Sequence, residues 1–306
     1  MAKAMKYIYI LLLTTALAVA CNDNQPTAED GSADNLPADS ATFRVAVMPT
    51  LDCLPLYVAD ERGLFEQQGV DVRLVPFMAQ MDCDTAFARG RVEAMATDLV
   101  RAERLRQKGI KVSYATATDL YWQLLTAKHA RIRQLNQLDD KMIAMTRFSA
   151  TAMLADQLVD SAKLTTERVF RIQVNNVLTR LNMMENGIMD AMLLPEPQAT
   201  AARLLDSREL YDSRRDSLLM GVLAVREEML SDTIRKQQLE ALLKAYDLAC
   251  DSLNERGLSA YKDIVVERCK VKAQVADSLP QDLTFRHSAA PRQKDIDKAK
   301  AWLKRN

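Results

Sequence analysis

The sequence has 306 residues, of which 48% are hydrophobic and 27% are charged, and its 41 basic and 41 acidic residues give a formal net charge of zero. This length and apolar content allow two domains with substantial cores and exclude disorder for most of the chain. The balanced charge gives no indication of a nucleic-acid partner, and we predict none. Only two histidines are present and no glycine-rich nucleotide motif is found, so we predict neither a metal site nor a cofactor.

The first twenty residues have the pattern of a bacterial lipoprotein signal peptide. Lys3 and Lys6 precede an apolar run over Tyr7–Ala20, and Cys21 follows small residues directly. The run is shorter than the roughly 20 residues that a membrane-spanning helix needs. We therefore predict a signal peptide over residues 1–20 and lipidation of Cys21, with cleavage without lipidation as the alternative.

The segment over residues 21–42 is predicted to be a flexible acidic tether behind the lipidated cysteine. It contains five acidic residues, two prolines and no basic residue, and it has almost no large apolar side chain. The protein is then expected in the cell envelope, facing the periplasm or the exterior, with the lipid anchor as its only membrane contact.

Four cysteines follow the tether, at Cys53, Cys83, Cys250 and Cys269. Disulfides can form outside the cytoplasm, and four cysteines allow three full pairings. We expect Cys53–Cys83 and Cys250–Cys269, because each pair joins neighbouring predicted elements, and free thiols are the alternative.

Beyond the tether, short apolar runs alternate with helical patterns, which is typical of α/β units with parallel strands. The first set is predicted, in chain order, as strand Arg44–Met48, helix Pro55–Gln68, strand Val70–Pro76, helix Asp84–Arg91, strand Val92–Ala96 and extended segments Lys111–Ala115 and Leu120–Ala127. The second set is predicted as strand Met142–Thr146, helix Thr151–Lys163, strand Val169–Val174, helix Val177–Asn186 and strand Ala191–Leu194. The remainder is predicted as an apolar run Leu218–Val225 and long helices near Asp232–Arg256, Ser259–Ala276 and Gln293–Lys304.

A short internal repeat divides the chain after the tether into two similar halves. Gly90–Met95 in the first set matches Gly187–Met192 in the second, each with a glycine that ends a helix and an acid before a buried strand. We predict lobe one over residues 43–124 and 219–306, including the C-terminal helices, and lobe two over residues 125–218. Open α/β sheets bind ligands at the carboxyl ends of their strands, so we expect a ligand cleft between the lobes.

Residues 54–72, with the sequence LPLYVADERGLFEQQGVDV, closely resemble the pattern near the start of SsuA/THI5-like (NMT1-like) solute-binding proteins. Ala86–Ala94, Leu135–Thr146 and Gly187–Pro197 extend the resemblance, which spans essentially residues 43–306. The resemblance implies a two-lobe type II periplasmic-binding-protein fold of the α/β class. It also implies a partner ABC permease and ATPase on other chains.

The resemblance further implies a small-molecule ligand, namely a sulfonate- or taurine-like, nitrate-like or thiamine-pyrimidine-precursor-like nutrient. An enzyme branch of the family makes a thiamine precursor, but its cysteine-rich stretch and reactive histidine have no match here, so we predict no enzymatic activity. The chain is expected to be a monomer. The alternative function is a ligand-sensing or scaffold lipoprotein that uses the same fold without transport.

Candidate ligand contacts follow the predicted strands. In lobe one they are Thr50, Asp52, Cys53, Asp82 and Asp98. Helix N-termini bind anions through backbone N–H groups, which favours the positions after the first strand. Asp98 has a second interpretation, since an acid before a helix is also a common N-cap.

In lobe two the candidates are Thr146, Arg147, Ser149, Thr151, Asn175 and Glu196. Hydroxyls with an arginine suit a carboxylate, sulfonate or phosphate. The alternative is that Ser149 or Thr151 caps the following helix and that Arg147 is a solvated surface charge. The resemblance places an acid before proline at Glu196, which is expected to bind a ligand amine. Tyr121 and Trp122 lie near a lobe crossing, where they are expected either to stack on a planar ligand or to pack in the hinge.

Overall fold

The computed structural model describes residues 41–306. The predicted signal peptide, the lipidation site Cys21 and nearly all of the tether therefore lie outside the described residues. No helix within the described part is long and apolar enough to cross a membrane.

Residues 41–306 form ten strands and twelve α-helices. The strands are β1 Phe43–Val47, β2 Val72–Pro76, β3 Ala94–Asp98, β4 Val112–Ala117, β5 Gln123–Thr126, β6 Lys141–Met145, β7 Val169–Gln173, β8 Ala191–Leu194, β9 Arg208–Asp212 and β10 Gly221–Arg226. The helices are α1 Leu54–Glu61, α2 Leu64–Gln67, α3 Gln80–Ala88, α4 Leu99–Gln107, α5 Ala150–Ser161, α6 Val177–Glu185, α7 Gln198–Arg203, α8 Glu228–Ser231, α9 Thr233–Arg256, α10 Lys262–Cys269, α11 Ala273–Asp277 and α12 Gln293–Leu303.

The strands form two five-stranded mixed sheets with the same topology. The first sheet has the order β2-β1-β3-β10-β4 and the second has the order β7-β6-β8-β5-β9. In each sheet three strands are parallel, and the antiparallel strand beside them arrives from the other sheet. The chain thus crosses between the sheets twice, from β4 to β5 and from β9 to β10. We call the parts built on the first and second sheets lobe one and lobe two, and this architecture confirms the predicted two-lobe α/β fold.

The two matching sequence segments, Gly90–Met95 and Gly187–Met192, also have the same structure. Gly90 follows α3 and Gly187 follows α6, and their φ angles are 69° and 67°, a left-handed conformation that glycine adopts without strain. Three residues after each glycine, an acid accepts a hydrogen bond from the second residue of the neighbouring parallel strand. The distance is 2.7 Å from the β1 amide to Glu93 and 2.9 Å from the β6 amide to Asp190. The acid therefore fixes the register of β1 or β6 against the strand that follows it.

Some predicted elements differ from the structure because of local backbone geometry. The predicted helix Pro55–Gln68 is two helices, α1 and α2, since Gly63 between them has φ 63°. The last part of the predicted helix Ser259–Ala276 likewise divides after α10, where Lys270 has φ 56°. Four elements were not predicted, namely α4, α7, α8 and β9. Strand β5 belongs to the second sheet from Gln123 onward, two residues before the predicted start of lobe two at residue 125.

The cysteines correct the expected disulfide pairing. Cys53, Cys83, Cys250 and Cys269 are all free and buried in the structure. Cys53 Sγ accepts a hydrogen bond from the amide of Met48 at 3.4 Å, and Cys83 Sγ lies 3.6 Å from Met48 Sδ. The two thiols that were expected to pair therefore each contact Met48. Burial raises the pKa of all four thiols, so they remain protonated.

Candidate functional site

A cavity of about 50 Å³ lies where the carboxyl ends of the parallel strands of the two sheets face each other. We call it the cleft cavity. Lobe one and the first crossing contribute Met48, Thr50, Asp52, Gln80, Ala96, Thr97, Asp98, Leu120 and Trp122. Lobe two contributes Thr146, Ser149, Thr151, Asn175, Val177, Arg180 and Pro195. The cavity is small because the two lobes touch around it.

Direct hydrogen bonds join the lobes beside the cleft cavity. Asp98 Oδ1 of lobe one accepts from the amide of Ala150 in lobe two at 3.0 Å. Gln198 Nε2 of lobe two donates to the carbonyl of Pro49 in lobe one at 2.6 Å. These contacts define a closed arrangement of the two lobes.

Arg180 is the main cation on the wall of the cleft cavity. Its residue is 6% exposed, and Nη1 donates to the carbonyl of Leu193 at 2.7 Å. Its Nε has no hydrogen-bond partner, and no acid within residues 41–306 forms an ion pair with the guanidinium. Burial lowers the pKa of Arg180 to about 10, so the side chain stays charged at neutral pH. A buried charge without a counter-ion is costly to fold, and an anion in the cavity would neutralise it.

The hydroxyls of Ser149 and Thr151 and the backbone of Thr146 organise the N-terminus of α5 on the same wall. Ser149 Oγ accepts from the amide of Thr151 at 3.1 Å and donates to the carbonyl of Thr146 at 2.6 Å. Thr151 Oγ1 in turn accepts from the amide of Thr146 at 2.9 Å. Ser149 therefore caps the helix, as one interpretation of the sequence predicted, and all three residues also line the cleft cavity.

The opposite wall carries two buried carboxyl groups. Asp52 is held by hydrogen bonds from Thr50 at 2.5 Å and Thr118 at 3.3 Å, yet burial raises its pKa to about 6. Asp98 caps α4 by accepting from the amide of Arg101 at 3.0 Å, and burial raises its pKa to about 6 as well. Both groups therefore change charge near pH 6.

Eight of the thirteen residues predicted to contact ligand lie together around the cleft cavity: Thr50, Asp52, Asp98, Trp122, Thr146, Ser149, Thr151 and Asn175. Their common feature is position, since each lies at the end of a strand or no more than six residues after it. Trp122 is 5% exposed, and its amide donates to Ser213 Oγ at 3.0 Å across the two crossings. It therefore packs in the hinge and borders the cavity at once.

Five predicted residues lie away from the cleft cavity: Cys53, Asp82, Tyr121, Arg147 and Glu196. Cys53 is fully buried in the core of lobe one, whereas Asp82 in the first turn of α3 and Arg147 before α5 are exposed. Arg147 borders an outer groove instead of the cleft. Tyr121 faces a separate cavity at the hinge.

Glu196 is buried but is fully occupied by its own lobe. Its Oε1 forms an ion pair with Arg203 at 2.6 Å and accepts from Gln123 at 3.1 Å, and its Oε2 accepts from the amide of Thr200 at 2.9 Å. Thr200 and Arg203 lie on α7, which begins two residues after Glu196, and Gln123 lies on β5. The carboxylate is thus unavailable to a ligand amine in this closed structure.

Sequence reasoning missed Arg180 and Gln80, each in the first turn of a helix that follows a strand. One signal was present for Arg180. Val177, Arg180 and Met184 are spaced i, i+3 and i+7, which places the arginine on the buried face of α6. A cation on an apolar helix face either pairs with an acid or faces a ligand, and a sequence alone does not decide between them.

Within residues 41–306 no three His, Cys, Asp or Glu side chains cluster in a way that could hold a metal ion. The chemistry available in the cleft is therefore that of a guanidinium, hydroxyls, a helix N-terminus and two titratable carboxyl groups.

Comparison with known proteins gives a family and a fold. The family model described as NMT1/THI5 like matches residues 50–255. A search of the curated proteins finds no match to the sequence.

Several solved structures share the architecture at low sequence identity. The ligand-binding component of an ABC-type import system from Staphylococcus aureus, with zinc bound, aligns with a TM-score of 0.73 and 17% identity over 86% of this chain and 91% of that chain. The alkanesulfonate-binding protein SsuA from Xanthomonas axonopodis pv. citri, bound to MOPS, aligns with a TM-score of 0.71 and 16% identity over 86% of this chain and 91% of that one. The periplasmic nitrate-binding protein NrtA from Synechocystis PCC 6803 aligns with a TM-score of 0.69 and 11% identity over 83% of this chain and 74% of that one. At these identities the likeness shows the fold.

Proposed function

Because the chain belongs to the NMT1/THI5-like family, we propose that it is the solute-binding component of an ABC importer and that its solute is a small oxyanion. The proposed role is binding and delivery, without catalysis. The proposed solutes include sulfonates, nitrate and phosphonates. A thiamine-precursor pyrimidine without an anionic group is disfavoured.

Arg180 is the observation that carries this proposal. Its guanidinium is buried on the cleft wall and has no acidic partner within the described residues. An oxyanion accepts parallel hydrogen bonds from a guanidinium, and such charge-assisted bonds are about twice as strong as neutral ones. A solute with an oxyanion group therefore supplies the negatively charged partner that Arg180 lacks among the described residues.

The N-terminus of α5 supports the same choice of solute. Thr146, Ser149 and Thr151 place hydroxyl groups and the positive end of the helix dipole beside the cavity. In the closed arrangement Asp98 occupies the amide of Ala150 at this N-terminus. We infer that Asp98 withdraws when the lobes open, so that the amide is free to meet an incoming anion.

Closure follows from contacts that one solute makes with both lobes. A solute that binds Arg180 in lobe two and Thr50 or Gln80 in lobe one interacts more strongly with the closed state than with the open state. This difference shifts the population toward closure, and the closed form is the one a permease would recognise.

The proposal extends to location and partners. The sequence pattern before Cys21 supports a lipid anchor in the cell envelope, with residues 21–42 as the tether that lets the two lobes reach a permease. The permease and ATPase are separate chains, and the protein works as a monomer.

Thermal unfolding with a panel of solutes tests the proposal. The panel contains methanesulfonate, taurine, nitrate, methylphosphonate and an uncharged aminopyrimidine, and native mass spectrometry identifies any solute that copurifies. A solute at 100 times its dissociation constant stabilises the protein by about 2.7 kcal/mol, which raises the unfolding midpoint measurably. We expect a shift with at least one oxyanion, and a shift with the aminopyrimidine alone would contradict the proposed solute class.

A further inference from the structure

A second cavity, of about 220 Å³, lies at the hinge on the far side of Asp52 and Leu120 from the cleft. We call it the hinge chamber. Both crossings between the sheets line it, with Tyr121 from the first and Leu219 from the second. At about 30 Å³ for each non-hydrogen atom, the space admits a molecule of roughly seven such atoms.

The hinge chamber contains an unsatisfied polar group. Tyr121 is 8% exposed, and its hydroxyl is buried without a hydrogen-bond partner. Burial raises the pKa of this hydroxyl, so it stays neutral and can both donate and accept a hydrogen bond. Leaving such a group unpaired costs about 1–3 kcal/mol, which a bound polar ligand would offset.

The charges around the hinge chamber favour a cation. Its two arginines are already neutralised, since Arg214 forms an ion pair with Asp212 at 2.7 Å and Arg286 pairs with Asp119. The exposed acid Asp282, on the segment before α12, forms no ion pair among residues 41–306, although its charge adds to that of Asp212 in raising the pKa of Arg214. Asp52 adds a second carboxyl group on the wall shared with the cleft.

The rest of the lining is apolar except for Thr284. Its apolar members are Leu51, Leu120, Leu218, Leu219, Leu283 and Phe285. A ligand that fits must therefore have a hydrocarbon body of a few carbon atoms as well as a polar head.

We propose that the hinge chamber is a second binding site, distinct from the cleft, for a small organic amine. The ammonium group donates to the Tyr121 hydroxyl and lies near Asp282, and the hydrocarbon body packs on the leucines. This site does not depend on which solute the cleft binds. Because its walls come from both crossings, an occupant contacts the two segments that must move when the lobes open.

Isothermal titration calorimetry of the full-length protein with hexylammonium tests the site. Two probes of equal size serve for comparison, the neutral hexan-1-ol and the anionic pentanoate. We expect saturable 1:1 binding of hexylammonium and weaker binding of the other two. Tyr121→Phe and Asp282→Asn should each weaken hexylammonium binding by about fivefold, as expected for one hydrogen bond or one partly exposed ion pair. Asp263→Asn, which removes an exposed acid on α10, is the matched control and should leave the affinity unchanged.

Leu219→Trp fills the hinge chamber and should abolish the binding, and the unfolding midpoint of each variant verifies that it is folded. Equal affinity for all three probes would overturn the proposed ligand class. Undiminished binding to folded Leu219→Trp would overturn the proposed location, and absence of hexylammonium binding to the wild-type protein would overturn the proposal as a whole.

Discussion

The two lobes share one strand order, yet the walls that they contribute to the cleft differ in charge. Lobe one presents the carboxyl groups of Asp52 and Asp98, whereas lobe two presents Arg180 and the hydroxyls at the start of α5. The repeat extends to the contact between the lobes, where Ala79, before α3, forms an antiparallel bridge with Asn176, the equivalent residue before α6. The architecture is duplicated, and the cleft chemistry is not.

Equivalent positions show where the difference arises. The fourth residue of α3 is Cys83 and the fourth residue of α6 is Arg180, and both helices have the same spacing to their turn glycines. Cys83 is fully buried in the core of lobe one as a protonated thiol. Arg180 is a buried cation without an acidic partner in the described chain. Binding chemistry in a duplicated fold is therefore best sought at positions where the two halves carry different residues.

Arg180→Met removes the feature that distinguishes lobe two most strongly. We expect roughly a hundredfold weaker binding of the oxyanion identified by the solute panel, because truncating a buried charged partner costs about 2–5 kcal/mol. The free energy of unfolding should stay the same or rise, since an unpaired buried charge is lost. Calorimetric titration measures the first effect and chemical denaturation the second.

Arg147→Ala is the matched control, because it removes an exposed arginine of the same lobe that borders the outer groove. It should leave the affinity unchanged. A loss of affinity in Arg147→Ala, with none in Arg180→Met, would reverse the assignment of the anion-binding residue.

Lowering the pH should reduce the difference in charge between the two walls of the cleft. The pKa of Asp52 and of Asp98 is raised from 3.8 to about 6, so both carboxyl groups are charged at pH 8 and largely neutral at pH 5. We expect the affinity for methanesulfonate or nitrate, whose charge is constant over this range, to rise about tenfold as the pH falls from 8 to 5. Titration at several pH values tests this, and an affinity that falls on acidification would contradict it.

The same shifts affect stability with a defined sign. Between about pH 4 and pH 6 the native state holds more protons on these two groups than the unfolded state does. Their contribution to the free energy of unfolding is therefore fully present below pH 4 and is lost as the pH rises through 6, by up to about 3 kcal/mol for each group. Comparing denaturation of the wild type with Asp98→Asn across this range isolates one of the two contributions.

Asp98→Asn should strengthen oxyanion binding about threefold at pH 8, where it removes one negative charge from the opposite wall. The amide oxygen of asparagine can still accept from Ala150 and Arg101, so the cap of α4 and the contact between the lobes are kept. At pH 5 the variant and the wild type should bind alike. Asp82→Asn, which changes an exposed acid of the same lobe, should have no effect at either pH.

The two turn glycines provide a test of the structural repeat. Gly90→Ala and Gly187→Ala should each lower the free energy of unfolding by about 1–2 kcal/mol, the cost of a left-handed conformation for alanine. An added Cβ would also lie 3.3 Å from the Arg226 guanidinium at Gly90 but 3.5 Å from the His129 ring at Gly187. Gly69→Ala is the control that measures only the cost of the left-handed backbone conformation, because nothing lies within 4 Å of its added Cβ. Widely different losses at Gly90 and Gly187 would show that the two turns are not equivalent.

Thiol titration has the smallest expected signal in the native state. The four cysteines within residues 41–306 are buried with raised pKa values, so a thiol reagent should not react with them until the protein unfolds. In denaturant without a reductant, all four should react. Failure of two or four of them to react would indicate disulfides.

The sequence predicted the parallel strands well, because most of their residues are apolar and glycine or polar residues bound them, but it missed the antiparallel strand β9. It also placed Thr50, Ser149 and Thr151 beside the cleft, since residues that follow such strands meet at one edge of the sheet, and their contact with a solute stays a prediction. Prediction failed where the role of a side chain depends on whether it has a partner, because only the three-dimensional structure shows this. Glu196 is occupied by Arg203 on the next helix. The spacing of α6 places Arg180 on a buried face, but only the structure shows that no acid within residues 41–306 pairs with it.

The disulfide pairing failed for a related reason. Adjacent predicted elements were taken to bring Cys53 and Cys83 together, but both residues pack against Met48. Proximity of elements does not specify which side chains of those elements meet.

A crystal structure of the protein with the oxyanion identified by the solute panel tests the central claim most directly. We predict that an oxygen of the ligand lies within about 2.7–2.9 Å of the Arg180 guanidinium, with a second contact to lobe one that holds the lobes closed. A ligand bound through Asp52 and Asp98, with no contact to Arg180, would contradict the claim that the cleft is built for a small anion.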